Sequence, residues 1–277
     1  MNYKLLALDI DGTLFSSEHY ILPLTKKIIK NAINDGLHVT LATGRSFSFA
    51  KKIANDLSIK VPIVTHDGAL IGNSIKNSLY TERLSNEVVQ EIVEILLEYQ
   101  LKIELQNDPQ SILNFKFPWM NFIKMSPYAY KYKMVEFMIS KYISSEKLLG
   151  YIQSSKVAPN KISIVGQSEK KIKLVKQVLA TRFQDHIRMT SSGIGIEILP
   201  KKISKAHGLK VLSESLGILP EEIIAIGDNH NDLEMIRFAG LGVAMANAPL
   251  EVREQANFVT HSNDENGIAY VIQKFYY

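Results

Sequence analysis

The 277-residue sequence contains no cysteine. The chain can therefore form neither disulfides nor thiolate metal sites, and this composition fits a reducing compartment. The sequence also lacks an uncharged apolar run long enough to span a bilayer. From Met1 the chain passes directly into a strand-like segment, which leaves no room for a signal peptide. We therefore expect a cytoplasmic protein that has no membrane partner.

The sequence has little excess charge, since its formal net charge is only +4 at pH 7. So small a charge on a chain of this length indicates no polyanionic partner. One stretch, from Asn114 to Lys133, does combine aromatic and basic residues, as single-stranded nucleic-acid binders do. Because the rest of the chain has no matching basic stripe, we expect no nucleic-acid partner.

The most informative stretch that is present runs from Leu5 to Phe15 and reads LLALDIDGTLF. A strand-like apolar run leads into Asp9 and Asp11, whose carboxylates project from the same side of an extended chain. Gly12 signals a turn, so both acids lie at the carboxyl end of the strand, where α/β sheets bind ligands. Two acids beside flexible backbone N–H groups can hold a hard cation and a phosphate together.

Two other interpretations compete for this motif. Asp-Gly-Thr after a strand is often only a turn. A calcium-binding EF-hand loop that used Asp9, Asp11 and Gly12 would place its first ligand at Ala7, which has no side-chain oxygen. The residues before Asp9 also have the pattern of a strand rather than a helix, so we set the EF-hand interpretation aside.

Strands and helices alternate at both ends of the chain, which predicts βαβ units and a parallel sheet. The predicted core strands lie at 5–8, 37–42, 61–65, 223–226, 242–245 and 258–260. The middle of the chain mixes short strand-like and helix-like pieces instead. We predict an α/β fold whose Rossmann-like parallel-sheet core is formed by residues 1–83 and 200–277. An α/β cap domain at residues 84–199 is inserted into this core.

Further polar residues lie after predicted core strands or at the start of a helix. They are Thr43, Gly44, Arg45, Lys205, Asp228, Asn231 and Asp232. Each could be only a turn, cap or surface residue. In a parallel sheet, however, all strand-end loops lie on one edge and can converge. Their joint occurrence in this order therefore predicts a phosphoryl-transfer site.

The residue types suit that chemistry. Mg²⁺ prefers a few carboxylates together with waters and substrate phosphate, so Asp9 and Asp228 can supply carboxylates and Asp11 a backbone carbonyl. The hydroxyl of Thr43 and the ammonium of Lys205 suit phosphate oxygens, as does the Gly44 N–H. A carboxylate can act as the nucleophile, and a second acid must then protonate the leaving alkoxide and deprotonate the attacking water.

These segments resemble the four motifs of the haloacid dehalogenase superfamily. DIDGT, beginning at Asp9, resembles the D-x-D-G-T signature of its phosphatases. LATGR, SKAHGL and GDNHNDLEM resemble the second, third and fourth motifs of its Cof-type branch. The resemblance covers nearly the whole chain, including the α/β cap that this branch inserts between its second and third motifs.

The resemblance implies a role for each motif residue. Asp9 would be the nucleophile and a Mg²⁺ ligand, and Asp11 the general acid/base whose carbonyl also binds Mg²⁺. Asp228 would be the third protein ligand of the metal. Thr43 and Lys205 complete the catalytic set. The phosphate- and substrate-binding candidates are Ile10 (through its backbone), Gly12, Gly44, Arg45, Asn231 and Asp232, the last of which would hold the metal waters or Lys205.

Two positions depart from the pattern of this branch. The third core loop contains His66-Asp67-Gly68 where the family often has Asn-Gly, so Asp67 either adds negative charge at the mouth of the site or only makes a turn. Ala206 follows Lys205 where glycine is frequent. Because alanine is small and compatible with a helix, we expect no loss of activity from it.

In such enzymes the cap closes over the site and excludes water, so cap residues would select the substrate. The segment from Asn114 to Lys133 is a candidate for part of that surface. Its aromatic residues could instead belong to the hydrophobic core of the cap, which is the interpretation we favour. They are Phe115, Phe117, Trp119, Phe122 and Tyr130.

The resulting hypothesis is a Mg²⁺-dependent phosphatase of small phosphorylated metabolites that works through an aspartyl-phosphate. Sugar phosphates are the expected substrates, and pyridoxal phosphate or flavin-precursor phosphates are alternatives. A phosphomutase would carry similar motifs, and a non-catalytic phosphosugar-binding regulator is a third alternative. The sequence leaves the oligomeric state open.

Overall fold

The structure is a computed structural model that describes residues 3–116, 127–165, 168–190 and 195–277. A five-stranded parallel sheet, in the order β14-β13-β12-β1-β2, forms the centre of the core. Its strands are β1 (Leu5–Leu8), β2 (His38–Leu41), β12 (Ile223–Gly227), β13 (Leu241–Ala244) and β14 (Phe258–Val259). The helices of the core are α1 (Pro23–Asn34), α2 (Phe47–Leu57), α7 (Lys205–Leu216), α8 (Leu233–Phe238), α9 (Leu250–Arg253) and α10 (Gly267–Phe275).

The core sheet is apolar on both faces because helices cover both of them. In β1, Leu6 and Leu8 pack into one hydrophobic cluster, whereas Leu5 and Ala7 pack into another. All four side chains are fully buried. This double burial explains why the strand is a continuous apolar run, and it fixes the position of the loop that follows.

A second, six-stranded sheet lies in the middle of the chain, in the order β10-β11-β9-β6-β7-β8. Its strands are β6 (Ile103–Asn107), β7 (Gln110–Leu113), β8 (Ser140–Tyr142), β9 (Lys161–Ile164), β10 (Ile187–Thr190) and β11 (Ile196–Pro200). The helices of this part are α3 (Asn86–Glu98), α4 (Pro127–Met138), α5 (Ser145–Ser155) and α6 (Glu169–Arg182). Residues from α3, α5 and α6 form a separate hydrophobic cluster with one face of this sheet. We call this part of the molecule the cap.

The fold class predicted from the sequence, a parallel α/β core with a second sheet domain, is confirmed. The third predicted core strand, β3 (Ile63–Thr65), joins the sheet beside β2 through a single parallel bridge, Ala42 to Val64. It pairs antiparallel with β4 (Leu70–Gly72), which pairs with β5 (Ser78–Thr81), and this hairpin was not predicted. The domain boundaries at 83/84 and 199/200 stay a prediction. No helix in the described part of the chain is long and apolar enough to cross a membrane.

Candidate active site

The loops that follow β1, β2 and β12 lie at one edge of the core sheet, because these strands are parallel neighbours. Asp9 directly follows β1, Thr43 lies two residues beyond β2, and Asp228 directly follows β12. Lys205 is the first residue of α7, whose N-cap Ser204 accepts a hydrogen bond from the backbone N–H of His207. The structure therefore brings together the motifs that the sequence places far apart.

A buried lysine joins two of the acids. Lys205 Nζ donates to Asp9 Oδ1 and to Asp232 Oδ1, with 2.6 Å for each bond. Burial alone would lower the pKa of Lys205, but the charges of Asp232 and Asp9 outweigh it and raise the pKa well above its usual value. Asp232 Oδ2 accepts the backbone N–H groups of Asp228 and Asn229. Asp232 thus orients Lys205 and closes the loop after β12.

Three carboxylates converge at this point. Asp9, Asp228 and Asp232 each offer an oxygen atom within 4.8 Å of those of the other two. Burial raises the pKa of Asp9 well above its usual value against the opposing charge of Lys205, and the neighbouring acids add to the rise. Burial, followed by the charge of Asp232, raises the pKa of Asp228 to about 7. A cluster of this kind favours a bound cation, which would relieve the repulsion.

Gly12 is required by the geometry beside Asp228. Its φ is +82°, and a Cβ at this position would lie 2.3 Å from Asp228 Oδ2. Thr13 Oγ1 donates to Asp228 Oδ1 over 2.7 Å, and Asn247 Nδ2 donates to the Gly12 carbonyl. Ile10 has a fully buried side chain in the core, so only its backbone is available to a ligand.

Asp11 is paired with an arginine that also contacts the cap. Arg45 donates to both of its carboxylate oxygens, Nε to Oδ2 and Nη2 to Oδ1, each over 2.7 Å. Arg45 also donates through Nη1 to Glu136 of α4. This chain of charged groups links the loop after β1, the loop after β2 and a cap helix, and it lies at the cavity between core and cap.

Asp67 also links the core and the cap. Its carboxylate accepts from Lys161 Nζ of β9 over 3.0 Å and from Asn231 Nδ2 over 3.1 Å. Burial would raise the pKa of Asp67, but the charges of Lys161 and Lys205 hold it well below its usual range. With 2% exposure and a φ of +55°, Asp67 makes a turn but does not lie at the mouth. Of the two alternatives for Asp67, the structure supports the turn and not added negative charge at the mouth.

Lys161 is 1% exposed and has three acceptors. Besides Asp67, it donates to the Gly44 carbonyl over 2.6 Å and to Glu197 Oε1 over 2.7 Å. Burial lowers the pKa of Lys161, but the charges of Asp67 and Glu197 outweigh this effect, and the net pKa is raised. Burial and the charge of Asp67 raise the pKa of Glu197 to about 7, although Lys161 acts in the opposite direction.

A second buried contact joins core and cap at His66, whose φ is +49°. His66 Nε2 lies 2.5 Å from Asp108 Oδ2, and Nδ1 lies 3.0 Å from Gln106 Oε1. Asp108 Oδ2 also accepts the backbone N–H of Phe47 over 2.8 Å. We call His66 and Asp108 the latch, because they connect the loop after β3 to the cap.

Between core and cap lies a cavity of about 440 Å³. Asp9, Asp11, Thr43, Gly44, Arg45 and Asn231 line its core side. Its cap side is lined by polar and apolar residues together. The polar ones are Glu104, Gln106, Ser111, Glu136, Lys161, Ser163 and Glu197, and the apolar ones are Phe115, Ile139, Ile164, Val165 and Ile196. The cavity therefore presents acids and hydrogen-bond donors on its core wall, and both hydrogen-bonding and apolar side chains on its cap wall.

Comparisons with known proteins identify the family. The family model for haloacid dehalogenase-like hydrolases matches residues 6–272. The stress response protein YhaX of Bacillus subtilis is 33% identical over 285 residues, covering 100% of this chain and 94% of that protein. The 5-amino-6-(5-phospho-D-ribitylamino)uracil phosphatase YwtE of the same organism is 30% identical, covering 98% and 97%.

The chain belongs to the haloacid dehalogenase-like hydrolases. A haloacid dehalogenase-like hydrolase from Bacteroides thetaiotaomicron has a similar crystal structure, with a TM-score of 0.82 and 32% identity over 99% of each chain. The resemblance expected from the four sequence motifs is therefore confirmed, and the protein is a hydrolase of a family whose relatives include phosphatases.

Several residues at the site of this hydrolase were not expected from the motifs. They are Glu104, Glu136, Lys161, Ser163 and Glu197. All of them lie on the cap, where no family motif marks them. Thr13 belongs to the DIDGT motif, but no role was predicted for it. The alternation of polar and apolar residues in KISI (161–164) and in GIEIL (195–199) was the available signal for two of those strands.

The structure describes only part of the aromatic cap segment. Phe115 lines the cavity, and Tyr130 is 46% exposed, so neither belongs to the buried core of the cap. For these two residues, the interpretation as cap core is wrong. Phe117, Trp119 and Phe122 lie outside the described residues.

Proposed function

We propose that this hydrolase is a Mg²⁺-dependent phosphatase that acts on small phosphorylated metabolites through an aspartyl-phosphate at Asp9. One observation carries the proposal: Asp9, bonded to Lys205 and close to Asp228 and Asp232, opens onto the cavity between core and cap. The same proposal places the enzyme in the cytoplasm, because a chain without cysteine fits a reducing compartment.

The donor atoms at this site fit Mg²⁺, which prefers hard oxygen ligands. Asp9 and Asp228 would supply carboxylates, and the Asp11 backbone carbonyl would supply a neutral oxygen. Asp232 would not be a direct ligand, because its two oxygens already accept from Lys205 and from two backbone N–H groups. Bound Mg²⁺ would neutralise charge on the substrate phosphate and hold it in front of Asp9.

In the first step a carboxylate oxygen of Asp9 attacks the phosphorus atom. The bond from phosphorus to the leaving-group oxygen breaks, and Asp11 gives that oxygen a proton. In the second step Asp11 takes a proton from a water molecule whose oxygen attacks the phosphorus. The bond between phosphorus and Asp9 breaks, which releases inorganic phosphate and restores the carboxylate.

The other motif residues position the phosphate. The Lys205 ammonium, the Thr43 hydroxyl and the Gly44 N–H would contact its oxygens and stabilise charge in the transition state. Position 44 favours glycine, because a Cβ there would lie only 2.9 Å from Asp67 Oδ2. The side-chain amide of Asn231 donates a hydrogen bond to Asp67, and this bond fixes its orientation in the site.

A charge argument favours the phosphatase over the phosphomutase. A mutase must bind a bisphosphorylated intermediate, and its second phosphate needs a cationic partner. Among the described residues that line the cavity, Lys161 and Arg45 are already paired with carboxylates. A binding-only regulator, in turn, has no need for an Asp9 nucleophile paired with an Asp11 acid.

Sugar and sugar-alcohol phosphates are the substrates we propose, with pyridoxal phosphate and flavin-precursor phosphates as alternatives. The polar side chains among those that line the cap wall support hydroxyl-bearing substrates. The relative YwtE is named for a substrate in which phosphate is attached to a ribityl chain, which is a polyol.

The test is phosphate release from a panel of sugar, sugar-alcohol, pyridoxal, flavin and aryl phosphates, with Mg²⁺ or with a chelator. We expect release only with Mg²⁺, and none from Asp9→Asn. The matched control is Asp185→Asn, which changes an exposed acid on the cap and should leave turnover unchanged. Conversion of a sugar phosphate to its isomer without phosphate release would show a mutase instead. Turnover by Asp9→Asn would contradict the assignment of the nucleophile.

A further inference from the structure

The face of the cap sheet toward the core carries a row of polar side chains across three neighbouring strands. Glu104 of β6 lies opposite Ser163 of β9, and Ser163 lies opposite Glu197 of β11. Residues alternate between the two faces of a strand. Their apolar neighbours, such as Ile162 and Ile198, belong to the hydrophobic cluster on the other face. Lys161, two residues before Ser163, reaches the core from this polar face.

Two oxygens in this row lack a hydrogen-bond partner within the described structure. They are Ser163 Oγ and Glu197 Oε2, and both are buried. The two residues are 8% exposed, and both line the cavity. A buried hydroxyl or carboxylate oxygen without a partner destabilises a protein. A ligand in the cavity that supplies the missing partners would remove this cost.

The charges around these oxygens limit what the ligand can carry. Lys161 donates to three acceptors, and Arg45 is paired with Asp11 and Glu136. Among the described residues that line the cavity, both cations are therefore already paired. Burial raises the pKa of Glu104 and of Glu197, which means that the cavity disfavours negative charge on its own carboxyl groups. A second anionic group on a substrate would face the same penalty.

We propose that Ser163 and Glu197 recognise the leaving group of the substrate, and that this group is an uncharged polyol. Glu197 Oε2 accepts a hydrogen bond from one hydroxyl of the polyol, and Ser163 Oγ bonds to another. This inference rests on the proposed phosphatase function and makes it more specific, because it excludes leaving groups that carry a carboxylate or a second phosphate.

Three phosphate monoesters test the inference. Sorbitol 6-phosphate and 6-phosphogluconate differ in one terminal group, which is a hydroxymethyl group in the first and a carboxylate in the second. Hexyl phosphate has the same chain length and no hydroxyl. We expect kcat/KM for sorbitol 6-phosphate to exceed each of the others by about tenfold or more. Equal or faster hydrolysis of either comparison compound would overturn the inference and leave the phosphatase function intact. If the enzyme hydrolyses none of these three compounds and no aryl phosphate either, the phosphatase function itself is contradicted.

A ratio of kcat/KM values for two substrates, measured on one enzyme preparation, does not depend on the fraction of enzyme that is folded. Such ratios can therefore be compared between the wild type and variants of lower stability. Ser163→Ala should lower the sorbitol-to-hexyl ratio about tenfold, since it removes one hydrogen bond. Assayed at pH 8, Glu197→Gln should raise the relative rate with 6-phosphogluconate, because it removes the negative charge that Glu197 carries above its pKa of about 7. The matched control Ser154→Ala, on the exposed side of α5, should change neither ratio. An unchanged sorbitol-to-hexyl ratio in Ser163→Ala would overturn the assignment of Ser163.

Discussion

Lys161 Nζ, on a cap strand, lies 3.0 Å from Asp67 Oδ2 in a core loop, and both side chains are almost fully buried. Asp67 also accepts a hydrogen bond from Asn231, which lines the core side of the cavity. The ion pair therefore connects the cap to the loops that would bind phosphate. A buried pair is poorly screened by water, so losing one partner has a large effect.

Substitution of this lysine tests the connection by its effect on stability. Lys161→Met keeps a long apolar chain but leaves Asp67 and Glu197 as buried acids without a cation. We expect the free energy of unfolding, measured by chemical denaturation, to fall by about 3 kcal/mol. Lys102→Met, at an exposed cap position, should change it by less than about 0.5 kcal/mol. Equal stability of the two variants would contradict this account of Lys161.

Two glycine substitutions test the geometry at Asp228, the proposed metal ligand. Gly12→Ala would force a methyl group to within 2.3 Å of Asp228 Oδ2, at a φ that alanine disfavours. We expect kcat to fall about 100-fold, because Asp228 must move, together with weaker Mg²⁺ binding by calorimetry. Gly150→Ala is the control, since a Cβ there meets nothing within 4 Å. Unchanged Mg²⁺ affinity in Gly12→Ala would contradict the ligand role of Asp228.

The dependence of stability on pH tests the environment of Glu197. Its pKa is about 7 in the folded protein, against 4.5 as the ordinary value. Between these values the folded state retains a proton that the unfolded state has lost, so stability falls as pH rises. Asp67 stays ionised in this range because its pKa is held well below its usual value.

Glu197→Gln cannot titrate, so this part of the pH dependence should disappear. We expect the stability of the wild type relative to Glu197→Gln to decrease from pH 5 to pH 8, measured by chemical denaturation at each pH. Glu94→Gln, at an exposed position on α3, should follow the wild type throughout. A wild-type curve parallel to that of Glu197→Gln would show that the folded environment does not raise this pKa.

The latch can be tested by amide exchange. Asp108→Asn removes the charge that accepts from His66 and from the Phe47 N–H. We expect the Phe47 amide to exchange about tenfold faster, because a charge-assisted hydrogen bond is replaced by a neutral one. KM should also rise as the cap becomes less firmly held. If exchange at Phe47 and KM both match those of Asp185→Asn, the latch does not hold the cap to the core.

Local patterns predicted the core of the molecule well. β1 is apolar at every position, and the acids that follow it in sequence also follow it in space. Helix starts were also readable, since Ser46, Ser85, Ser168 and Ser204 cap the helices that follow them. The parallel topology then placed the motif loops on one edge of the sheet. This step of the prediction needs only the strand directions and no knowledge of side-chain contacts.

The cap side of the site could not be read in the same way. The roles of Lys161 and Glu197 depend on contacts with residues far away in the sequence. Lys161, for example, contacts Gly44 and Asp67. The hairpin of β4 and β5 consists of strands of three and four residues, too short to show a clear period. His66 and Asp67 both have positive φ, a conformation held by their tertiary contacts rather than by residue preference.

The central claim is that Asp9 carries the phosphoryl group during turnover. The most direct measurement is acid quenching of the enzyme during hydrolysis of sorbitol 6-phosphate or an aryl phosphate with Mg²⁺, followed by mass spectrometry of the peptide that contains Asp9. We predict the added mass of one phosphoryl group on Asp9, and its absence in Asp9→Asn. Phosphate release at the full rate without any modification of Asp9, together with turnover by Asp9→Asn, would contradict the account.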